Sequence, residues 1–445
     1  MSRNRIGSPG GFLLCLLLLA PSLPASAQTT AFTGVDVIPM DSERVLRNQT
    51  VVIEGDRITQ IGESGTILIP ARAQTIDGNG KFLMPGLAEM HGHIPSPNQA
   101  RQEIVNVLYL YAANGITTVR GMLGHPGQLD LKTAALSNDL VSPTLYLAGP
   151  SFNGNTVSSP EQAAARVRQQ KEEGWDLLKI HPGLSRAQYD SMAVTAHAVG
   201  ITFGGHVPSA VGLDHALDMA QETFDHLDGY VEALDGANGL INMFDLARLV
   251  AKTKQKNAWV VPTMALWETL YGAVELEELQ NFDELKYTSA RSVAGWSNTF
   301  RSRVGGPQFD PVVSMNVIDA RMQVLRALSD AGARILMGTD APQQFSIPGF
   351  SLHRELLVMR DAGMTPYEII ETGTKNVGEY FAHQDTFGQI AVGHRADLIL
   401  VNENPLEDVQ HIADHAGVMI RGVWHSKQAI QQRLSEIESY YQNSN

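Results

Sequence analysis

The chain is 445 residues long, with 43% hydrophobic and 18% charged residues and a mean hydropathy of −0.10. That composition supports a large buried core and excludes an intrinsically disordered or polytopic membrane protein. The formal net charge of −14, with no basic patch to offset it, excludes a nucleic-acid partner, because a phosphate backbone would be repelled.

The N-terminus reads as a secretory signal over residues 1–27: Arg3 and Arg5 form a basic start, residues 11–20 an apolar core, and Ala25-Ser26-Ala27 a small-residue cleavage site. The apolar run is too short for a comfortable membrane span. Export to a bacterial periplasm or out of the cell is expected, with no membrane partner once the signal is removed. Cys15, the single cysteine, falls in this segment, so the mature chain has no disulfide, thiolate ligand or cysteine nucleophile.

Residues 31–38, 50–54, 57–61 and 75–83 are short alternating runs broken by Gly-Asp, Gly-Glu and Asp-Gly-Asn-Gly turns, and they predict strands. The rhythm then changes. Strands predicted to end at His93, Met122, Gly149, His181, Val207, Gly229, Met264 and Ala341 alternate with helices such as 102–114, 159–173, 186–199 and 317–331. Ser159-Pro160-Glu161 supplies a cap, a first-turn proline and an acid in the expected order, and Gly115, Gly174, Gly200 and Gly332 follow helices as terminators. Eight strand–helix pairs predict an α/β fold, a (β/α)8 TIM barrel over residues 85–384. The seventh interval is long and carries an extra helical segment, 276–303, expected to act as a lid. Residues 388–392, 397–401 and 418–424 read as strands again. The two ends, 28–84 and 385–430, are each too small for a core and are expected to pair as one composite β-sandwich domain.

In such barrels functional side chains come from the C-terminal ends of strands. His91 and His93 end the first predicted strand, Lys179 the fourth, His206 the fifth, His226 the sixth and Asp340 the eighth. Side chains two apart on a strand share a face, so His91 and His93 can bind one ion together. Imidazoles and a carboxylate suit a borderline divalent ion such as zinc. Lys179 is the odd member: an ammonium repels a cation, so it fits only if neutralised or converted to an anion, as by reaction with carbon dioxide to a carbamate.

These residues resemble the amidohydrolase superfamily, whose pattern is His-x-His, a carboxylated lysine, two histidines and an aspartate in that strand order. The approach Met84-Pro85-Gly86-Leu87 is similar to it, as are Phe387-Gly-Gln-Ile-Ala-Val-Gly-His-Arg-Ala-Asp-Leu-Ile-Leu400 and Asn404-Pro405-Leu406. Ser351-Leu-His-Arg-Glu-Leu356 and Gly363-Met-Thr-Pro366 resemble the branch of imidazolonepropionase-like proteins and Xaa-Pro dipeptidases (prolidases). The resemblance implies that His91, His93 and Asp340 hold one metal and His206 and His226 a second, with carboxylated Lys179 and a hydroxide bridging them. A single ion is expected if Lys179 is unmodified. It implies Asp340 as the catalytic group that takes the proton on attack and hands it to the leaving nitrogen.

Mononuclear deaminases of that superfamily usually carry a glutamate three residues after the fifth-strand histidine. Ser209 stands there, so amide hydrolysis outranks deamination. The expected activity is cleavage of a C–N bond in a small amide or dipeptide substrate, of Xaa-Pro or N-acyl amino acid type. Lactone or cyclic-amide hydrolysis, and a catalytically inactive barrel used for binding, remain alternatives, and a homo-oligomer is compatible. Arg120, His181 and Tyr230 are the candidates for recognising a substrate carboxylate. A structural salt bridge is the alternative for Arg120, a structural histidine for His181 and a packing tyrosine for Tyr230. Glu89 is expected to bury against the rim rather than bind metal.

Overall fold

The computed structural model describes Met1 and residues 28–443; the rest of the predicted signal segment, with Cys15, lies outside the described residues. The chain opens with strands β1 (Thr29–Val37), β2 (Leu46–Glu54), β3 (Arg57–Glu63), β4 (Gln74–Asp77) and β5 (Phe82–Pro85). The run expected as one strand over 75–83 is broken into β4 and β5 by the turn that Asp77 and Asn79 make, where Asp77 accepts from the Asn79 backbone at 3.1 Å.

Eight parallel strands follow, separated by helices: β6 (Leu87–Gly92), β7 (Ile116–Gly121), β8 (Thr144–Leu147), β9 (Leu177–Ile180), β10 (Thr202–Gly205), β11 (Thr223–Asp225), β12 (Trp259–Val261) and β13 (Arg334–Ile335). Every residue of β6, β7, β8 and β9 is buried, as parallel strands covered on both faces must be. They pair as two arcs, β6-β7-β8 and β9 to β13, rather than as one continuous ring. An isolated parallel bridge, Ala148 to Leu177, links the arcs on one side. On the other, Met90 N–H donates to Met337 O at 2.8 Å and Asp340 N–H to His91 O at 2.8 Å.

The helix signals act as their chemistry requires. Ser159 accepts from the Gln162 amide ahead of Pro160–Glu173, and Gly174 ends that helix at φ 91°. Ser185 with Gln188 and Thr365 with Glu368 form reciprocal caps on Arg186–Val199 and Pro366–Gly373. The long insertion is helical but interrupted, as Leu276–Gln280, a short 3-10 turn, and Ala290–Val304.

The chain returns through β14 (Leu398–Val401), β15 (His415–Ile420) and β16 (Val423–Ser426). The two chain ends join in one eight-stranded sheet, ordered β16-β15-β14-β5-β1-β2-β3 with β4 also on β1. They meet edge to edge, β14 running antiparallel to β5 with Leu398 opposite Pro85, and the sheet curls so that Phe32 of β1 meets Trp424 of β16, four strands along, with ring centroids 5.3 Å apart. One apolar cluster that includes Phe32, Val51, Ile53, Leu83, Leu398 and Met419 serves both ends. Residues 388–392 are not a strand; Ile390 instead buries in that cluster, its N–H donating to Pro39 O at 3.0 Å. The chain closes with a helix, Lys427–Asn443, absent from the sequence expectations, burying Ile430, Ile437 and Tyr441. No helix among the described residues is long and apolar enough to cross a membrane.

Candidate metal centre

His91 lies in β6 and His93 just beyond it, Lys179 lies in β9, and His206, His226 and Asp340 follow β10, β11 and β13. All six side chains converge. Asp340 Oδ1 is 2.5 Å from His93 Nε2 and 3.7 Å from His91 Nε2, while its Oδ2 is 3.7 Å from His226 Nε2. Lys179 Nζ is 3.0 Å from His91 Nε2. The His206 ring is centred 4.6 Å from that of His226, and His226 lies 4.4 Å from His91. Donor atoms of His91, His93 and Asp340 all fall within 4.8 Å of one another.

The backbone at these ends is bent into place. His226 and Asp340 are non-glycine residues in the left-handed region, at φ 66° and 64°, a conformation that persists only where its surroundings hold it. For Asp340 the holder is Glu89, which accepts from Thr339 N–H at 2.8 Å and His91 N–H at 3.0 Å, tying β6 to the Asp340 corner. Burial pushes the Glu89 carboxyl up to about 7. It does not face the metal donors, as expected from the sequence.

Two histidines are hydrogen-bonded through the nitrogen that faces away from the centre: His206 Nδ1 lies 2.6 Å from Asp228 Oδ2 and His226 Nδ1 2.7 Å from Thr263 Oγ1. His91 Nδ1 lies 2.7 Å from Asp225 Oδ2 as an ion-pair contact out of hydrogen-bond alignment. Such contacts fix tautomer and ring orientation, leaving Nε2 to bind. Burial holds His91 and His226 well below the ordinary histidine range, so both are neutral and able to ligate. His226 Nε2 is buried with no hydrogen-bond partner among the described residues, an orphaned acceptor that a metal ion would satisfy. The donor set therefore fits divalent metal. Lys179 is fully buried, and that burial draws its ammonium down to about 8.

The centre floors a cavity of about 700 Å³ that His181 also lines, with its Nδ1 buried and unpartnered. The insertion reaches the mouth of this cavity through Ser289, Ser292 and Trp296. Two expected substrate contacts are corrected. Arg120 is fully buried behind the centre: Nε donates to Met90 O at 2.6 Å, one terminal nitrogen to Thr223 and Tyr380 hydroxyls, and the other to both Asp225 oxygens at 3.2 and 3.3 Å. Every guanidinium nitrogen is thus engaged inside the protein, and with the side chain fully buried none of them reaches a substrate. Tyr230 is also fully buried, its hydroxyl 2.5 Å from Thr253 Oγ1. Both point into the interior because they sit on strand or helix positions facing neighbouring elements, one step removed from the open face. Asp225, Asp228 and Thr263 went unremarked in the sequence; the first two flank His226 in Thr-Phe-Asp-His-Leu-Asp, a local signal, whereas Thr263 had none.

A neutral-imidazole cluster with one carboxylate, set in a cavity large enough for a small molecule, belongs to metal-assisted hydrolysis, and the protein is a hydrolase acting on carbon–nitrogen bonds. The chain belongs to the amidohydrolase family, whose profile matches residues 82–425. It is 25% identical to the imidazolonepropionase of Streptomyces coelicolor over 393 residues, covering 85% of this chain and 91% of that one. It is 24% identical to the ochratoxinase of Aspergillus niger over 426 residues, covering 88% and 85%. Among solved structures it resembles a Xaa-Pro dipeptidase with methionine bound in its active site, at a TM-score of 0.68 and 20% identity over 90% of this chain and 100% of that one. That likeness establishes a TIM-barrel-like fold with a β-sheet domain.

Proposed function

We propose that this protein hydrolyses the amide or peptide bond of a small substrate at a metal centre built from His91, His93, Lys179, His206, His226 and Asp340. The observation that carries the reading is the convergence of His91, His93 and His226 on Asp340, their Nε2 atoms 3.7, 2.5 and 3.7 Å from its carboxylate oxygens, with His226 held from behind by Thr263. The names of its relatives, an imidazolonepropionase, an ochratoxinase and a Xaa-Pro dipeptidase, belong to the same bond class. The eight parallel strands act in this reading as a (β/α)8 barrel spanning residues 85–384. Secretion is part of the proposal and rests on the sequence of residues 1–27 alone.

Divalent ions held there, zinc being the one this donor set suits, would acidify water and polarise the scissile carbonyl. His91, His93 and Asp340 would hold one and His206 and His226 the other, with Lys179 shared between them. Lys179 would serve as a ligand after its neutral amine adds to carbon dioxide, forming the N–C bond of a carbamate and releasing a proton. Its burial favours that uncharged amine; left unmodified, it would limit the site to one ion. Asp340, which lines the cavity, would accept the proton of the attacking water and return it to the leaving nitrogen. His181 stands on the cavity wall where it can donate to the substrate carbonyl.

The test is a substrate panel of Xaa-Pro dipeptides, N-acyl amino acids, imides and lactones, run on metal-replete protein beside Asp340→Asn. Amide turnover that disappears in the variant, with stoichiometric divalent metal in the parent, is the expected result. Turnover that survives the substitution, or a parent without bound metal, would refute the reading.

A further inference from the structure

The cavity above the metal donors has a distinct outer half. Four segments distant in sequence build it: the helix Arg101–Ala113 through Glu103, the helix Met264–Leu270 through Trp267, the insertion through Trp296, and the C-terminal helix through Tyr441. Three aromatic side chains, Trp267, Trp296 and Tyr441, stand among aliphatic and neutral polar residues there. Glu103 is the one acidic lining residue besides Asp340, and no lysine or arginine lines the cavity among the described residues. Its carboxylate has no ion-pair partner among the described residues, although it is half-buried. As a first-turn acid it is favoured by its helix dipole in the charged form. Tyr441 is 7% exposed and senses the Glu103 charge directly, as the carboxylate helps raise its hydroxyl to about 12 behind the larger effect of burial.

We propose that Glu103, in the cavity half that Tyr441 and Trp296 also line, forms a subsite for a protonated amine, so that the preferred substrate is an aromatic or apolar amide bearing a free amino group and no carboxylate. The proposal rests on the amide-hydrolase reading for its substrate, but the subsite itself is a matter of binding. A half-desolvated carboxylate without a counter-ion gains most from an incoming cation, and aromatic faces add cation–π attraction. An anionic group would meet Glu103 with no compensating cation on the wall. The withdrawal of Arg120 into the interior fits this polarity: the arginine expected to read a carboxylate is spent on Asp225.

The experiment measures equilibrium binding to the metal-loaded protein of three small probes, 2-phenethylamine, 3-phenylpropanamide and 3-phenylpropionate, by quenching of the cavity tryptophans. Phenethylamine is expected to bind more tightly than the neutral amide. Glu103→Gln, which keeps the helix-start geometry, is expected to weaken phenethylamine about tenfold while shifting the amide by less than about twofold. Tyr441→Leu is expected to weaken the amine about threefold. An amine affinity unchanged by Glu103→Gln, or an equal loss for all three probes, overturns the subsite. A turnover arm compares one aromatic amide with its amino group free and acetylated. Amine selectivity in binding without hydrolysis of either form would sink the amide-hydrolase reading and leave the subsite standing; hydrolysis without amine selectivity would do the reverse.

Discussion

Replacing Asp225 with asparagine separates metal affinity from fold stability. The carboxylate does two jobs at once: it lies 2.7 Å from His91 Nδ1 and takes both hydrogen bonds of one Arg120 terminal nitrogen, with neither side chain exposed. Asparagine keeps the shape and removes the charge. Arg120 then sits in the interior as an unpaired cation, a loss of about 3–5 kcal/mol for breaking a buried pair. That is a large share of the roughly 5–15 kcal/mol that holds a domain folded. His91 loses the charged partner beside its Nδ1, which weakens metal binding by about 10–100-fold, or roughly 1.4–2.7 kcal/mol. Chelator competition reads the affinity and thermal unfolding of the apo-protein reads the stability. The double variant Arg120→Met, Asp225→Asn removes the stranded charge, so it should regain most of the stability and none of the affinity. Wild-type metal affinity in the single variant, or affinity restored in the double one, would show that His91 is not oriented in this way.

Three further predictions follow the same geometry. Asp340→Asn should lower kcat by about 10²–10⁴-fold as proton transfer is lost, measured at saturating metal on the best amide of the panel. Tyr230→Phe should cost about 1 kcal/mol of stability by removing the hydrogen bond between its hydroxyl and Thr253 Oγ1, which keeps its own bond to Leu249 O, and leave KM unchanged; a raised KM would return Tyr230 to the substrate. His353, which bonds Asn114 Oδ1 at 3.2 Å, is drawn by burial down to about 4 in the native protein. The unfolded chain takes up that proton first, near pH 6.5, so the contribution is whole above that pH and falls by about 1.4 kcal/mol per pH unit down to about 4. His353→Gln should therefore flatten the acid limb of the apo-protein stability curve, and an unchanged limb would contradict the burial argument.

The convergence of the candidate metal donors was legible because such barrels carry functional side chains at strand ends, where an apolar run stops and a histidine, lysine or aspartate appears. Strand and helix order was legible for the same reason, since buried parallel strands and capped helices have local signatures. What was hidden depends on partners. Arg120 looked available because a sequence shows that it ends a strand, but not that Thr223, Asp225 and Tyr380 would converge on it from three other elements. Thr263 acquires its role only because its corner brings the hydroxyl to His226. The way the two chain ends join was hidden too, because alternation shows which residues face a core and says nothing of which strand edges pair. The C-terminal helix, by contrast, was readable: Ile430, Leu434, Ile437 and Tyr441 recur at helical spacing.

The pairing of β14 with β5 has a consequence for how the protein matures. β5 ends at Pro85 and the strand bearing His91 starts at Leu87, so the first-strand histidines hang from a ribbon that is clasped on one side by β1 and on the other by residues 398–401. A nascent polypeptide still missing its last fifty or so residues cannot complete that clasp. Contacts of such long sequence separation form late. The upstream anchor of the histidine-bearing strand is accordingly completed only once residues 398–401 have been made, whereas its own pairing with β7 does not wait for them.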